Sequence, residues 1–216
     1  SREERHTQLA DFFAGKWAGK AKPYSAWLSE RVQRPQFCPG ETAGDRMVPT
    51  QPLVLEGRLT SAVSERLLNT RRIQEHMHHA IRAGDEASAV GGLCSIQYVA
   101  AKAAVDDVSE LLLEYTAASE RFPDKAAALG EFAAFVGRSQ GALRRKMPTA
   151  PFQFALQEPD TSGPYQSIKR LAERGGDPLI AIAGASGAEN AARLVLWRDK
   201  PQQSDPCQLT IREHEG

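Results

Sequence analysis

The 216-residue sequence holds three cysteines, 7% aromatic residues and no net charge, its 27 basic residues being matched by 27 acidic ones. Each shortage excludes something. Cys38, Cys94 and Cys207 are odd in number, far apart and without C-x-x-C spacing, so neither a disulfide framework nor a zinc knuckle is expected. Zero net charge excludes a uniformly basic coat for nucleic acid but leaves room for a local patch. No stretch comes near the roughly eighteen apolar residues that a membrane-crossing helix needs, so no membrane partner is expected. The opening S-R-E-E-R-H-T-Q is charged and leads into no apolar run. A signal peptide is therefore not expected, and the default compartment is the cytoplasm.

What is present is an ordinary globular composition, 41% hydrophobic and 25% charged, patterned mostly at helical period. The expected fold is mainly α: a helical bundle with a helix-turn-helix-like segment and a small C-terminal β-hairpin. Four stretches divide the chain. Residues 1–58 read as an N-terminal helix with a Pro/Gly-rich connector, and 59–122 as a long helical hairpin. Residues 123–200 carry the helix-turn-helix-like segment and the hairpin, and 201–216 read as a flexible tail.

In the first stretch, Leu9, Phe12, Phe13 and Trp17 fall at helical spacing over residues 2–18. Cations and rings then alternate: Lys16, Lys20, Lys22, Arg31 and Arg34 stand among Trp17, Tyr24 and Trp27 with one acid, Glu30. Such a mixture suits auxiliary nucleic-acid contacts, through phosphate pairing and base stacking. The alternative is a helix whose Trp27 packs inward while its cations are solvated. The Leu53-Val54-Leu55 piece of the connector is expected to form one short strand.

In the second stretch, Thr60 or Ser61 can cap a helix that runs to Arg82, with Val63, Leu67, Ile73, Met77 and Ile81 as its apolar stripe and Gly84 as its stop. A second helical region, Glu86 to Glu120, is expected to bend at Gly91-Gly92. From Arg82 to Glu120 two cations face seven acids, which repels DNA phosphate and suits a basic partner or plain solvent, while helices 60–120 could serve self-association or a protein partner. Glu75, His76 and His79 share a face of the first helix. They lack the H-E-x-x-H order of a zinc protease, and a solvated or partner-facing cluster is the favoured reading. No metal and no other cofactor is expected.

The clearest functional grammar lies between Ala128 and Pro148. Leu129, Phe132, Ala133, Phe135 and Val136 give a compact apolar face, Gly137 can turn the chain, and Ser139 can cap a second helix anchored by Leu143. The spacing Ala133, Gly137, Ser139, Leu143 resembles the helix-turn-helix family of bacterial and phage DNA-binding regulators. That resemblance implies a recognition helix entering the major groove of duplex DNA. Its contacts would come from Arg138, Ser139, Gln140, Arg144, Arg145 and Lys146, with Arg and Gln able to read guanine and adenine edges. The family's usual aliphatic residue after the turn glycine is Arg138 here, and Gly141 lies inside the second helix.

Beyond it, Phe152, Phe154 and Leu156 alternate as an expected strand, and Tyr165 to Arg174 reads as a helix. The apolar runs 179–183 and 193–197 flank Gly184-Ala-Ser-Gly187 as a hairpin. Ser186 has Gly184 two residues before it but Ala188 two after, so the nucleophile-elbow pattern fails and no enzyme is expected. The expected function is a dimeric DNA-binding protein, sequence-specific or architectural, a transcriptional or mobile-element regulator. The alternative is a non-enzymatic helical adaptor or assembly subunit that binds protein through the acidic 82–120 region.

Overall fold

The structure is a computed structural model that describes residues 2–20, 47–54, 68–105, 108–144 and 150–173. Among the described residues it holds eight α-helices: α1 (Arg2–Phe13), α2 (Thr70–Ala83), α3 (Glu86–Leu93), α4 (Ile96–Val105), α5 (Val108–Arg121), α6 (Ala126–Arg144), α7 (Ala150–Gln157) and α8 (Gly163–Glu173). The mainly helical expectation holds. Extended pairing among these residues is limited to two isolated bridges, Ala18 with Val48 and Val54 with Leu68. The expected hairpin over 179–197 and the tail after 201 lie outside the described residues.

α4 is the centre of the bundle. Seven of its ten residues are buried, and it touches α2, α3, α5, α6, α7 and α8. Ala100, Ala101 and Ala103 keep its girth small, so neighbours approach from every side while Ile96, Tyr98 and Val99 fill the gaps between them. Around it lie two extensive helix pairs, α1 on α2 and α5 on α6. Ile73 and Met77 of α2, Leu111 and Tyr115 of α5, and Phe132, Phe135 and Val136 of α6 meet in one continuous core.

Polar groups lock the layers. The Tyr115 hydroxyl donates to the Leu93 carbonyl at 2.8 Å. The free amide of Ile96, at the start of α4, donates to Ser167 Oγ of α8 at 3.0 Å. The Gly163 amide, at the start of α8, donates to Glu131 Oε2 of α6 at 2.9 Å. Helix starts leave amides without intrahelical acceptors, and here side chains from other helices answer them.

Three expected elements are corrected. α2 begins at Thr70, not near Thr60, which lies with Ser61 outside the described residues. Asn69 caps it by accepting the Arg72 amide at 3.1 Å, while Leu68 is drawn into the bridge with Val54. Asparagine is among the strongest caps, so the start falls where it stands. Gly84 does end the helix, in the left-handed conformation at φ 70°. The second helical region is three helices rather than one long arm of a hairpin. Its first break comes at Cys94-Ser95, because Gly91 and Gly92 stay helical where α3 presses on α2. A Cβ on Gly92 would lie 2.6 Å from Met77 Sδ. Finally, 150–157 is helix, not strand. Pro151 sits in its first turn, where a missing N–H leaves no bond unmade, and Ala150, Phe152 and Ala155 share the buried side. Three alternating apolar residues are too few to separate the two periods.

Candidate functional site

The segment expected to turn at Gly137 does not turn. α6 runs unbroken through Gly137 and Gly141, and neither has positive φ. A single helix buries Leu129, Phe132, Phe135, Val136 and Leu143 together, which a break at Gly137 would forfeit. Ser139 therefore sits inside a helix rather than at a cap. Arg138 grips the Glu158 carboxylate with one guanidinium nitrogen at 2.8 and 2.7 Å, and Arg144 Nη2 lies 3.5 Å from Ser109 Oγ. On a continuous helix those two arginines stand roughly 120° apart around the axis, and Gln140 is half-buried on the side nearly opposite Arg138. Arg145 and Lys146 lie outside the described residues, as do Lys22, Arg31 and Arg34. Lys16 pairs with Asp11 at 2.5 Å and Asp85 at 3.6 Å, leaving Lys20 exposed at the edge of the described segment.

The surface that does gather functional groups is built on α2. Toward α5 it forms a groove of about 620 Å³, with Gln74, Glu75 and His78 on one wall and Glu110, Leu113 and Ala117 on the other. Lys102 lies at its base with its side chain 3% exposed and its ammonium 2.8 Å from Glu114 Oε1. The Tyr98 hydroxyl stands 2.9 Å from the other Glu114 oxygen and 3.1 Å from the Ile73 carbonyl. The buried cation is thus matched by a carboxylate that is itself hydrogen-bonded, which a buried pair requires. Leu113 is the opposite case, an aliphatic side chain 61% exposed on the groove wall.

Toward α1 the same helix presents histidines. His6 Nδ1 lies 2.8 Å from His79 Nδ1, and His79 Nε2 lies 3.3 Å from Glu75 Oε2. The His78 ring is 5.8 Å from that of His6 and 5.2 Å from that of His79, centroid to centroid. Phe13 stacks on His79, which is one reason α1 lies where it does. Burial lowers the basicity of His78 and His79, and the neighbouring cations and imidazoles add to the shift.

The expected grouping of Glu75, His76 and His79 is half kept. Glu75 and His79 stay together, but His76 is absent from the three-histidine group and faces a second cavity, about 560 Å³, beside Arg72, Ser88 and Gly92. It is buried there, and its Nε2 has no partner among the described residues. Burial first, and the Arg72 cation second, push its pKa down to about 4. His6 takes its place in the group. Nothing in local spacing announces a residue 73 positions away, so only the crossing of α1 over α2 finds it.

The last described helix ends at Glu173, close to where the similarity to a known family also ends. A sequence model of the APAF-1 helical domain matches residues 59–175, a little over half of the chain. The chain belongs to the APAF-1 helical domain family. The matched span takes in α2 to α8 and leaves α1 outside. No curated protein and no solved structure matches the chain. No helix among the described residues is long and apolar enough to cross a membrane.

Proposed function

We propose that this chain is a non-enzymatic helical interaction module that receives a basic, amphipathic helical segment of a protein partner in the α2–α5 groove. The observation that carries this reading is Leu113. α5 buries Val108, Leu111, Tyr115 and Ala118 against the bundle and turns Leu113 outward between Glu110 and Ala117. A bare aliphatic side chain beside the Glu110 carboxylate, in a groove that Glu75 also lines, is an anchor point for a helix carrying apolar residues on one face and cations beside them. The acid excess from Arg82 to Glu120 supplies long-range attraction for such a partner and repels DNA phosphate.

Membership in a family of helical domains supports a bundle that works through its surface. Cys94 agrees with a non-enzymatic reading, because burial pushes its thiol up to about 11 and suppresses the reactive thiolate. The test begins with cross-linking in native cells to obtain a purified partner, whose affinity is then measured against variants. Leu113→Glu and Glu110→Lys should each weaken binding by about tenfold or more while leaving the melting temperature within a degree or two. Unchanged affinity in the double variant would sink the proposal. So would tight duplex-DNA binding at low salt that Arg144→Ala abolishes.

A further inference from the structure

We propose that His6, His78 and His79 form a site for a divalent transition-metal ion of the zinc class, which clips α1 onto α2. The proposal goes beyond the groove reading and does not rest on it. Each imidazole offers one nitrogen, and the three nitrogens lie within 4.8 Å of one another. Imidazole suits zinc, copper and nickel, whereas calcium and magnesium take oxygen ligands. In a tetrahedral site with bonds near 2.1 Å the ligand nitrogens stand roughly 3.4 Å apart. That spacing falls between the 2.8 Å separation of the two Nδ1 atoms and the 4.8 Å limit of the group, so small side-chain rotations bring the three nitrogens onto one ion.

The hydrogen bonds already present select the nitrogens. Glu75 Oε2 at 3.3 Å holds the proton on His79 Nε2, which leaves the Nδ1 lone pair directed at His6. Carboxylate backing of this kind fixes the tautomer and the ring angle of metal-bound histidines. His6 Nδ1 then carries the one proton lying between the two nitrogens. An ion takes that proton's place, and His6 holds its proton on Nε2 instead. His6 and His78 border an opening of about 420 Å³ that has room for water as a fourth ligand. Arg2, Glu3, Arg82 and Arg121 line it too, all exposed, so water and salt screen their charge.

His78 and His79 lie inside the span that matches the family, and His6 lies outside it. The ion would therefore join an additional helix to the family's bundle.

The test uses the full chain, stripped with a chelator and titrated with Zn²⁺ by calorimetry and with Co²⁺ by visible absorption. One ion per chain is expected, with the ligand-field bands of four-coordinate cobalt and a raised melting temperature. His6→Gln and His78→Gln, both at solvent-accessible positions, should each weaken Zn²⁺ binding by about tenfold or more, and Glu75→Gln by about tenfold through His79. Cys94→Ser should bind as the parent does. Absence of stoichiometric binding would overturn the proposal, and so would an affinity unaltered in both His6→Gln and His78→Gln.

Discussion

Lys102 meets Glu114 at 2.8 Å beneath the α2–α5 groove, with the lysine side chain 3% and the glutamate side chain 12% exposed. The pair joins α4 to α5 at a depth where neither charge is well hydrated. Removing one partner strands the other. Lys102→Met should therefore cost about 3–5 kcal/mol in urea unfolding, whereas the double variant Lys102→Met, Glu114→Leu should recover most of that loss. A single variant as stable as the parent would show that the charges are solvated after all.

His76 gives the fold an acid limit. Its folded pKa of about 4 lies below the ordinary value of 6.5, so the unfolded chain binds the proton more readily between those values. Stability therefore rises with pH from about 4 to 6.5 and is lost as pH falls through that window. One such group amounts to about 3 kcal/mol at the acid end. Arg72, Lys16 and His79 oppose its protonation and Asp85 favours it. His76→Gln should flatten the stability profile between pH 4 and 6.5, leaving a smaller slope from His78 and His79. An undiminished slope would place the titration elsewhere.

Gly137 and Gly141 separate a continuous helix from a turn. Both lie inside α6, and a Cβ on either would meet nothing within 4 Å. Ala at each position should stabilise the chain by about 0.5–1 kcal/mol in thermal unfolding. A left-handed turn glycine would respond the other way, with a loss of about 1–2 kcal/mol.

Gly84 is that other kind of glycine. It ends α2 at φ 70°, and its amide returns to the Ala80 and Ile81 carbonyls. An added Cβ would also sit 2.8 Å from Arg121 Nη2. Gly84→Ala should destabilise by about 1–2 kcal/mol, and Gly84→Asn by less, since asparagine tolerates this conformation. Equal melting temperatures for the two variants would contradict the assigned cap.

Periodicity and hard stops are legible in the sequence. The stripe Ile73, Met77, Ile81 and the terminator Gly84 are local signals, and they lie where expected. Gly137 carries the same local signal and differs because five buried apolar residues on both sides of it favour one helix. A glycine states only what is permitted; tertiary packing decides whether the permission is used. The breaks within 86–121 escaped for the converse reason. Cys94-Ser95 has no strong breaker, and the free amide after it is satisfied by Ser167 from another helix. The histidine group was half legible: Glu75 and His79 are neighbours on one helix, but His6 reaches them only through tertiary folding.

The bond from Ile96 to Ser167 spans 71 positions. It sets an order on biosynthesis. As the polypeptide emerges, the central helix waits with an unanswered amide until the last described helix has been made. A ribosome-bound intermediate stalled anywhere between those residues should stay open to protease at α4, and resistance should arrive in a single step when position 167 clears the exit tunnel.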